Sequence, residues 1–119
     1  MRLNGGYSDH VLVPDARYLV AYDGLPTALA ATYPCSGLTA FGALKKLGRL
    51  GPNDKLMIIG AGGVGMAGVR LAKTVTGVAP IVADRDPGKR QAALESGAAA
   101  ALDPGSNGRR SATCRIGQP

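Results

Sequence analysis

Gly60-Ala61-Gly62-Gly63-Val64-Gly65 sets three glycines at GxGxxG spacing, and Asp84 follows Gly65 by nineteen residues. This pattern suits the binding of a pyrophosphate and a ribose. Gly60 would allow a tight turn out of a strand. Gly62, with no side chain, would let a pyrophosphate approach the backbone. Gly65 would let the following helix pack closely on the strand. Gly63 and Val64 stand where that helix begins. Its free N–H groups and a dipole of about half a charge favour phosphate. Asp84 would accept hydrogen bonds from the ribose hydroxyls and repel a 2′-phosphate. Two like charges ~4 Å apart cost about 1 kcal/mol in water and ~4 kcal/mol at a surface-like dielectric. NAD is therefore the expected dinucleotide, with NADP disfavoured. Arg85, Lys89 and Arg90 follow closely, and a basic group there could accommodate a phosphate. For Arg85 and Arg90 the simpler expectation is a solvated helix start.

In a chain with eighteen glycines such spacing alone says little, so the flanking elements decide. Lys55–Ile59 is apolar after its lysine and reads as a strand buried on both faces of a parallel sheet. A helix should run from the turn to about Val75, with Val64, Gly68, Leu71, Ala72 and Val75 on its inner face and Arg70, Lys73 and Thr74 off it. Pro80–Ala83 reads as the second strand. Asp86-Pro87 is an N-cap followed by a first-turn proline, opening a helix to about Ser96 with Gly97 just beyond it. Ala98–Leu102 reads as a weak third strand. The fold class is α/β, a partial Rossmann (doubly wound parallel) sheet preceded by a short β segment. In that segment Val11-Leu12-Val13 should form a strand stopped by Pro14. Thr27–Thr32 should make a helical turn. Residues 36–48 read as a helix, with Leu38, Phe41, Leu44 and Leu47 at three-residue spacing.

Composition excludes several classes. The net charge is +6, with nine basic and four acidic groups in residues 55–119. The basic residues neither cluster on one helix nor alternate with aromatics, so nucleic acid is not the expected partner. Two cysteines, Cys35 and Cys114, make no CxxC pair and no disulfide framework, which suits a reducing cytoplasm. No apolar run approaches a membrane span. From Gly105 onward no periodicity is found, and residues 105–119 read as an unpatterned, disordered tail.

Taken together, these segments resemble the medium-chain dehydrogenase/reductase family, on its zinc-dependent alcohol dehydrogenase side. Gly5-Gly6-Tyr7 through Val13-Pro14, Cys35-Ser36-Gly37-Leu38-Thr39-Ala40-Phe41-Gly42-Ala43-Leu44, Met57–Lys73 and Ile81–Lys89 carry the resemblance, which covers roughly residues 5–104. It implies that residues 1–34 end a GroES-like catalytic domain and that residues 35–104 are part of an NAD-binding domain. It also implies an oxidoreductase passing hydride between an alcohol (or polyol) and NAD. By resemblance Cys35 matches the third zinc ligand, Thr39 a threonine lining the nicotinamide pocket, and Lys89 a lysine contacting the adenosine ribose.

The family's other two zinc ligands have no counterpart in this sequence. His10 falls where the family has an aromatic strand residue and is expected to be a strand-face histidine. Cys35, without partners, is expected to be a small buried thiol. Cys114 matches no family position. The implied function is that of a dehydrogenase fragment inactive by itself. Its alternatives are a zinc-free quinone-reductase branch, a non-enzymatic dinucleotide-binding module and, last, a nucleic-acid binder. An exposed edge on the first strand would favour self-association.

Overall fold

The apolar run after Lys55 forms β1 (Met57–Ile59) of the computed structural model, which describes residues 6–105. β1 pairs in parallel with β2 (Ile81–Ala83), and β2 pairs in parallel with β3 (Ala100–Leu102). Parallel neighbours need a crossover. Helix α3 (Gly63–Thr76) provides the first and α4 (Pro87–Glu95) the second. Met57 stands opposite Ile81, and Ile81 opposite Ala100, in the order β1-β2-β3. The expected βαβαβ half of a doubly wound sheet is therefore present.

The helices end where the chain chemistry changes. α3 stops at Gly77, whose φ of +89° is left-handed. Thr76 is fully buried just before it and donates its hydroxyl to Ala72 O at 2.8 Å. α4 is opened by Asp86, whose Oδ1 accepts from Gly88 N at 2.7 Å and Lys89 N at 3.2 Å. Pro87 follows in the first turn, where its missing N–H costs nothing.

Val82 lies at the centre of one apolar cluster, with Ala61, Val69 and Ala93 around it and Ile58, Met66 and Ala98 at its margin. Side chains alternate across a strand, so Ile58 and Val82 face α3 and α4. Met57 and Ile59 face the other way and are 52% and 84% exposed. This corrects the expectation that the first strand is buried on both faces. Among the described residues no helix covers its second face, and β1 also forms an edge of the sheet.

The segment from Tyr33 to Leu47 packs on α3 from outside the sheet, whereas residues 6–28 are exposed. Short α1 (Thr27–Ala30) and a wide turn over Tyr33–Gly37 lead into α2 (Leu38–Leu47). Ala40 and Leu44 are the buried residues of α2, and Leu44 packs with Leu56 and Ala72. Gly68 is small enough for this contact, since a β-carbon there would stand 3.3 Å from Ile58 Cδ1 and 4.0 Å from Ala40. Of the four apolar residues at three-residue spacing, Leu44 is buried and Leu38, Phe41 and Leu47 are exposed. Leu38 and Leu47 are 66% and 53% exposed, because the helix turns Ala40 and Leu44 inward at its true period. Val64 is likewise 47% exposed at the open end of α3, not on its inner face.

Val11–Val13 is not a strand, and His10 is therefore an exposed residue of an irregular segment instead of a strand-face histidine. Three apolar residues form no strand without a neighbour to pair with, and none pairs with them among the described residues. Cys114 and all but Gly105 of the 105–119 tail lie outside the described residues.

Candidate functional site

The site is built where β1, α3 and β2 meet. Gly60 leaves β1 with φ +89°, a conformation L side chains rarely adopt, and its N–H donates to Ala83 O at 2.8 Å. Gly62 is the N-cap residue of α3, and no side chain caps it. A β-carbon on Gly62 or Gly63 would meet nothing within 4 Å, so the chain leaves open space on that side of the turn. Gly65 is the opposite case. Its β-carbon would lie 1.9 Å from Gly60 O. The three motif glycines thus answer to three different constraints: backbone sign, open approach and close packing.

Asp84 follows β2 directly and reaches back to the turn. Its Oδ2 accepts from Ala61 N at 2.8 Å, and its Oδ1 accepts from Asp86 N at 2.9 Å. The Ala61 bond, then the Asp86 bond, hold the carboxyl below the ordinary carboxylate value. Burial opposes these two bonds less strongly than either acts, and the weaker charges of Lys89 and Arg90 lower the value further. A carboxylate offers about four acceptor positions, so two remain for a ligand. The sequence assigns Asp84 to the ribose alone. Its bond to Ala61 was not visible there, because it joins residues twenty-three apart through the fold.

The basic residues separate. Arg85 and Lys89 are exposed, and among the described residues neither side chain makes a hydrogen bond or ion pair. Arg90 is instead held, with its side chain 22% exposed. Its Nη1 donates to Asp84 O and Arg85 O, each at 2.8 Å, and lies 3.3 Å from Asp103 Oδ2. A solvated role for Arg90 is thereby corrected.

Cys35 and Thr39 are not drawn into this centre. Cys35 is an exposed free thiol in the Tyr33–Gly37 turn, contrary to the expectation of burial. Thr39 is exposed near the start of α2. Among the described residues no three His, Cys, Asp or Glu side chains gather as metal ligands would. A catalytic zinc needs three protein ligands, so the residues present do not fit that ion. A groove of about 800 Å³ lies alongside, lined by Tyr18, Tyr22, Tyr33, Leu38, Phe41 and Leu71 among others, and by none of the glycine-turn residues. It accounts for the partial exposure of Leu38 and Phe41. No helix of the described residues is long and apolar enough to cross a membrane.

A strand, a glycine turn, a helix and a second parallel strand ending in an acid define a Rossmann-type α/β protein. No family model matches the chain. The chain is similar to proteins named NAD-dependent alcohol dehydrogenase. It is 46% identical to that of Sulfolobus acidocaldarius over 65% of this chain and 22% of the relative. It is 38% identical to that of Sulfurisphaera tokodaii over 84% of this chain and 28% of the relative. A relative named NADP-dependent alcohol dehydrogenase, from Saccharomyces cerevisiae, also matches at 35% identity over 79% of this chain and 26% of its own. Two solved structures share the fold. A candidate zinc-binding dehydrogenase from Clostridium scindens superposes with a TM-score of 0.56 at 30% identity, covering 72% of this chain and 24% of its own. A protein named short chain alcohol dehydrogenase from E. coli CFT073, solved with NADH, gives 0.53 at 31% identity, covering 70% and 26%.

The chain is thus similar to alcohol dehydrogenases in sequence and to dehydrogenases in fold, in keeping with its resemblance to the medium-chain dehydrogenase/reductase family. It spans about a quarter of the length of the curated relatives it matches.

Proposed function

We propose that residues 56–103 form the adenosine and pyrophosphate half of a nicotinamide-dinucleotide site, in an oxidoreductase that passes hydride between an alcohol and the cofactor. One observation carries this reading. The turn is packed tight at Gly65, where a helix must meet a strand, and left open at Gly62 and Gly63, where a pyrophosphate would lie. The amides at the start of α3 would hold the phosphates, and the free acceptor positions of Asp84 would hold the ribose hydroxyls. Lys89 would stand beside that ribose. Thr39, on α2, would belong to the nicotinamide side. NAD is preferred over NADP, since the Asp84 carboxylate is kept ionised by Ala61 and Asp86 and would face a 2′-phosphate.

The nicotinamide carries the hydride when bound. This chain's part is to bind and orient its adenosine end. Zinc chemistry is not assigned to it, because Cys35 stands without companion ligands among the described residues. The boundary near residue 35, a reducing cytoplasm and self-association through the free edge of β1 belong to the same reading.

A fluorescence titration of the full chain with NADH and NADPH tests it. Asp84 predicts NADH binding at least about tenfold tighter, the equivalent of ~1.4 kcal/mol. Tighter NADPH binding overturns the NAD preference. Binding of neither overturns the site.

A further inference from the structure

We propose that Arg90 is a positioning residue for the dinucleotide site, acting through Asp84 on the glycine turn. The inference rests on the reading above and adds a residue to it.

Arg90 lies in α4, outside the GxGxxG turn and six residues beyond the acid. One of its nitrogens, Nη1, donates to two consecutive carbonyls, Asp84 O and Arg85 O, at 2.8 Å each. The same nitrogen lies 3.3 Å from Asp103 Oδ2, just past β3. The guanidinium therefore joins the ends of β2 and β3 to α4. An arginine on a solvated helix start would sweep freely; this side chain is three-quarters covered.

What it fixes is the main chain of Asp84. The other end of that residue is its carboxylate, which takes Ala61 N at 2.8 Å. Ala61 lies between Gly60, with φ +89°, and Gly62, the N-cap of α3. Two glycines in succession around Ala61 leave this stretch of backbone with little stiffness of its own. A hydrogen bond from across the sheet supplies it. The order of support runs from Arg90 to the Asp84 carbonyl, then through the Asp84 carboxylate to the Ala61 amide. Loss of Arg90 frees the exit of β2, and the Ala61 bond weakens with it. The turn is then less often in the form that presents the α3 amides to phosphate.

Two variants of the full chain test this. Arg90→Met removes every donor while keeping an apolar stem. Arg90→Lys keeps the charge and can serve one carbonyl at a time. The first readout is hydrogen exchange of the Ala61 amide in the ligand-free protein, followed by NMR. Exchange should quicken roughly tenfold in Arg90→Met, more than at the α3 interior amides of Val69 and Ala72, with partial recovery in Arg90→Lys. The second readout is NADH affinity, which should fall by a similar factor and recover in the same order. A merely structural role would quicken exchange evenly across the sheet and α3. Equal quickening at Ala61, Val69 and Ala72, or unchanged Ala61 exchange in Arg90→Met, overturns the proposal. If NADH fails to bind the unsubstituted chain, the dinucleotide reading falls, while the exchange data still decide whether Arg90 steadies the turn.

Discussion

A β-carbon on Gly65 would sit 1.9 Å from the carbonyl oxygen of Gly60 and 2.9 Å from its carbonyl carbon. Helix α3 thus crosses the exit of β1 at a distance only glycine permits. Both atoms are backbone, so no side chain can swing aside to relieve the overlap. Gly65→Ala should cost ~3 kcal/mol of folding stability, read as a lowered urea midpoint with an unchanged slope. A midpoint within error of the parent would refute the close contact.

Gly62→Ala should behave in the opposite way. Its φ of −78° and ψ of −168° suit alanine, and its β-carbon meets nothing within 4 Å. Stability should change by no more than about 0.5 kcal/mol. The methyl group would instead occupy the space proposed for pyrophosphate, and NADH affinity should drop at least about tenfold. Undiminished affinity in a folded Gly62→Ala chain would show that the phosphates lie elsewhere.

Acid should reveal the Asp84 latch. Bonds from the Ala61 and Asp86 amides lower the folded-state pKa of Asp84. A depressed carboxylate contributes stability that is complete above its unfolded value, about pH 4. That contribution is lost as pH falls through the lower folded value. Urea midpoints between pH 7 and pH 2.5 should therefore decline in the parent chain, and the decline should be shallower in Asp84→Asn. Identical acid limbs would mean that the latch does not form in solution.

Asp86 tests the second helix. Its carboxylate caps α4 through Gly88 N and Lys89 N. Asp86→Ala should cost about 1 kcal/mol, while Asp86→Ser should recover most of it. Thermal melts of the three chains give the comparison, and equal melting temperatures would deny the cap any weight.

The parts of this molecule governed by local chemistry could be read from the chain. The Gly60–Gly65 turn, the Asp86-Pro87 start of α4 and the Gly77 stop of α3 each depend on residues within a few positions of one another. The order of three parallel strands followed from the helices between them. Features that depend on distant partners could not be read in this way. Val11–Val13 has the residues of a strand and no strand beside it. Met57 and Ile59 have the character of a buried strand, yet only the Ile58 side is covered. Arg90 looks like any helix-surface arginine until β2 and β3 are side by side. In the site itself, Gly60, Gly62, Gly65 and Asp84 were legible by type, whereas the bond from Ala61 to Asp84 required the fold.

The pairing of Met57 with Ile81, and of Ile81 with Ala100, also sets the order in which the chain can assemble. Neither pairing closes through a short hairpin. Each first rung must wait for about twenty residues to return across the sheet, a closure whose entropy grows only slowly with length but is spent before any ladder bond repays it. Helix α3 shortens that search, because a formed helix brings the start of β2 back towards β1. Early folding should thus centre on α3 with Ile58, Val69 and Val82, and β3 should join last, guided by α4. The same glycine that seats α3 against β1 then acts during folding as well as in the folded state, since the nucleus cannot close around a side chain at position 65.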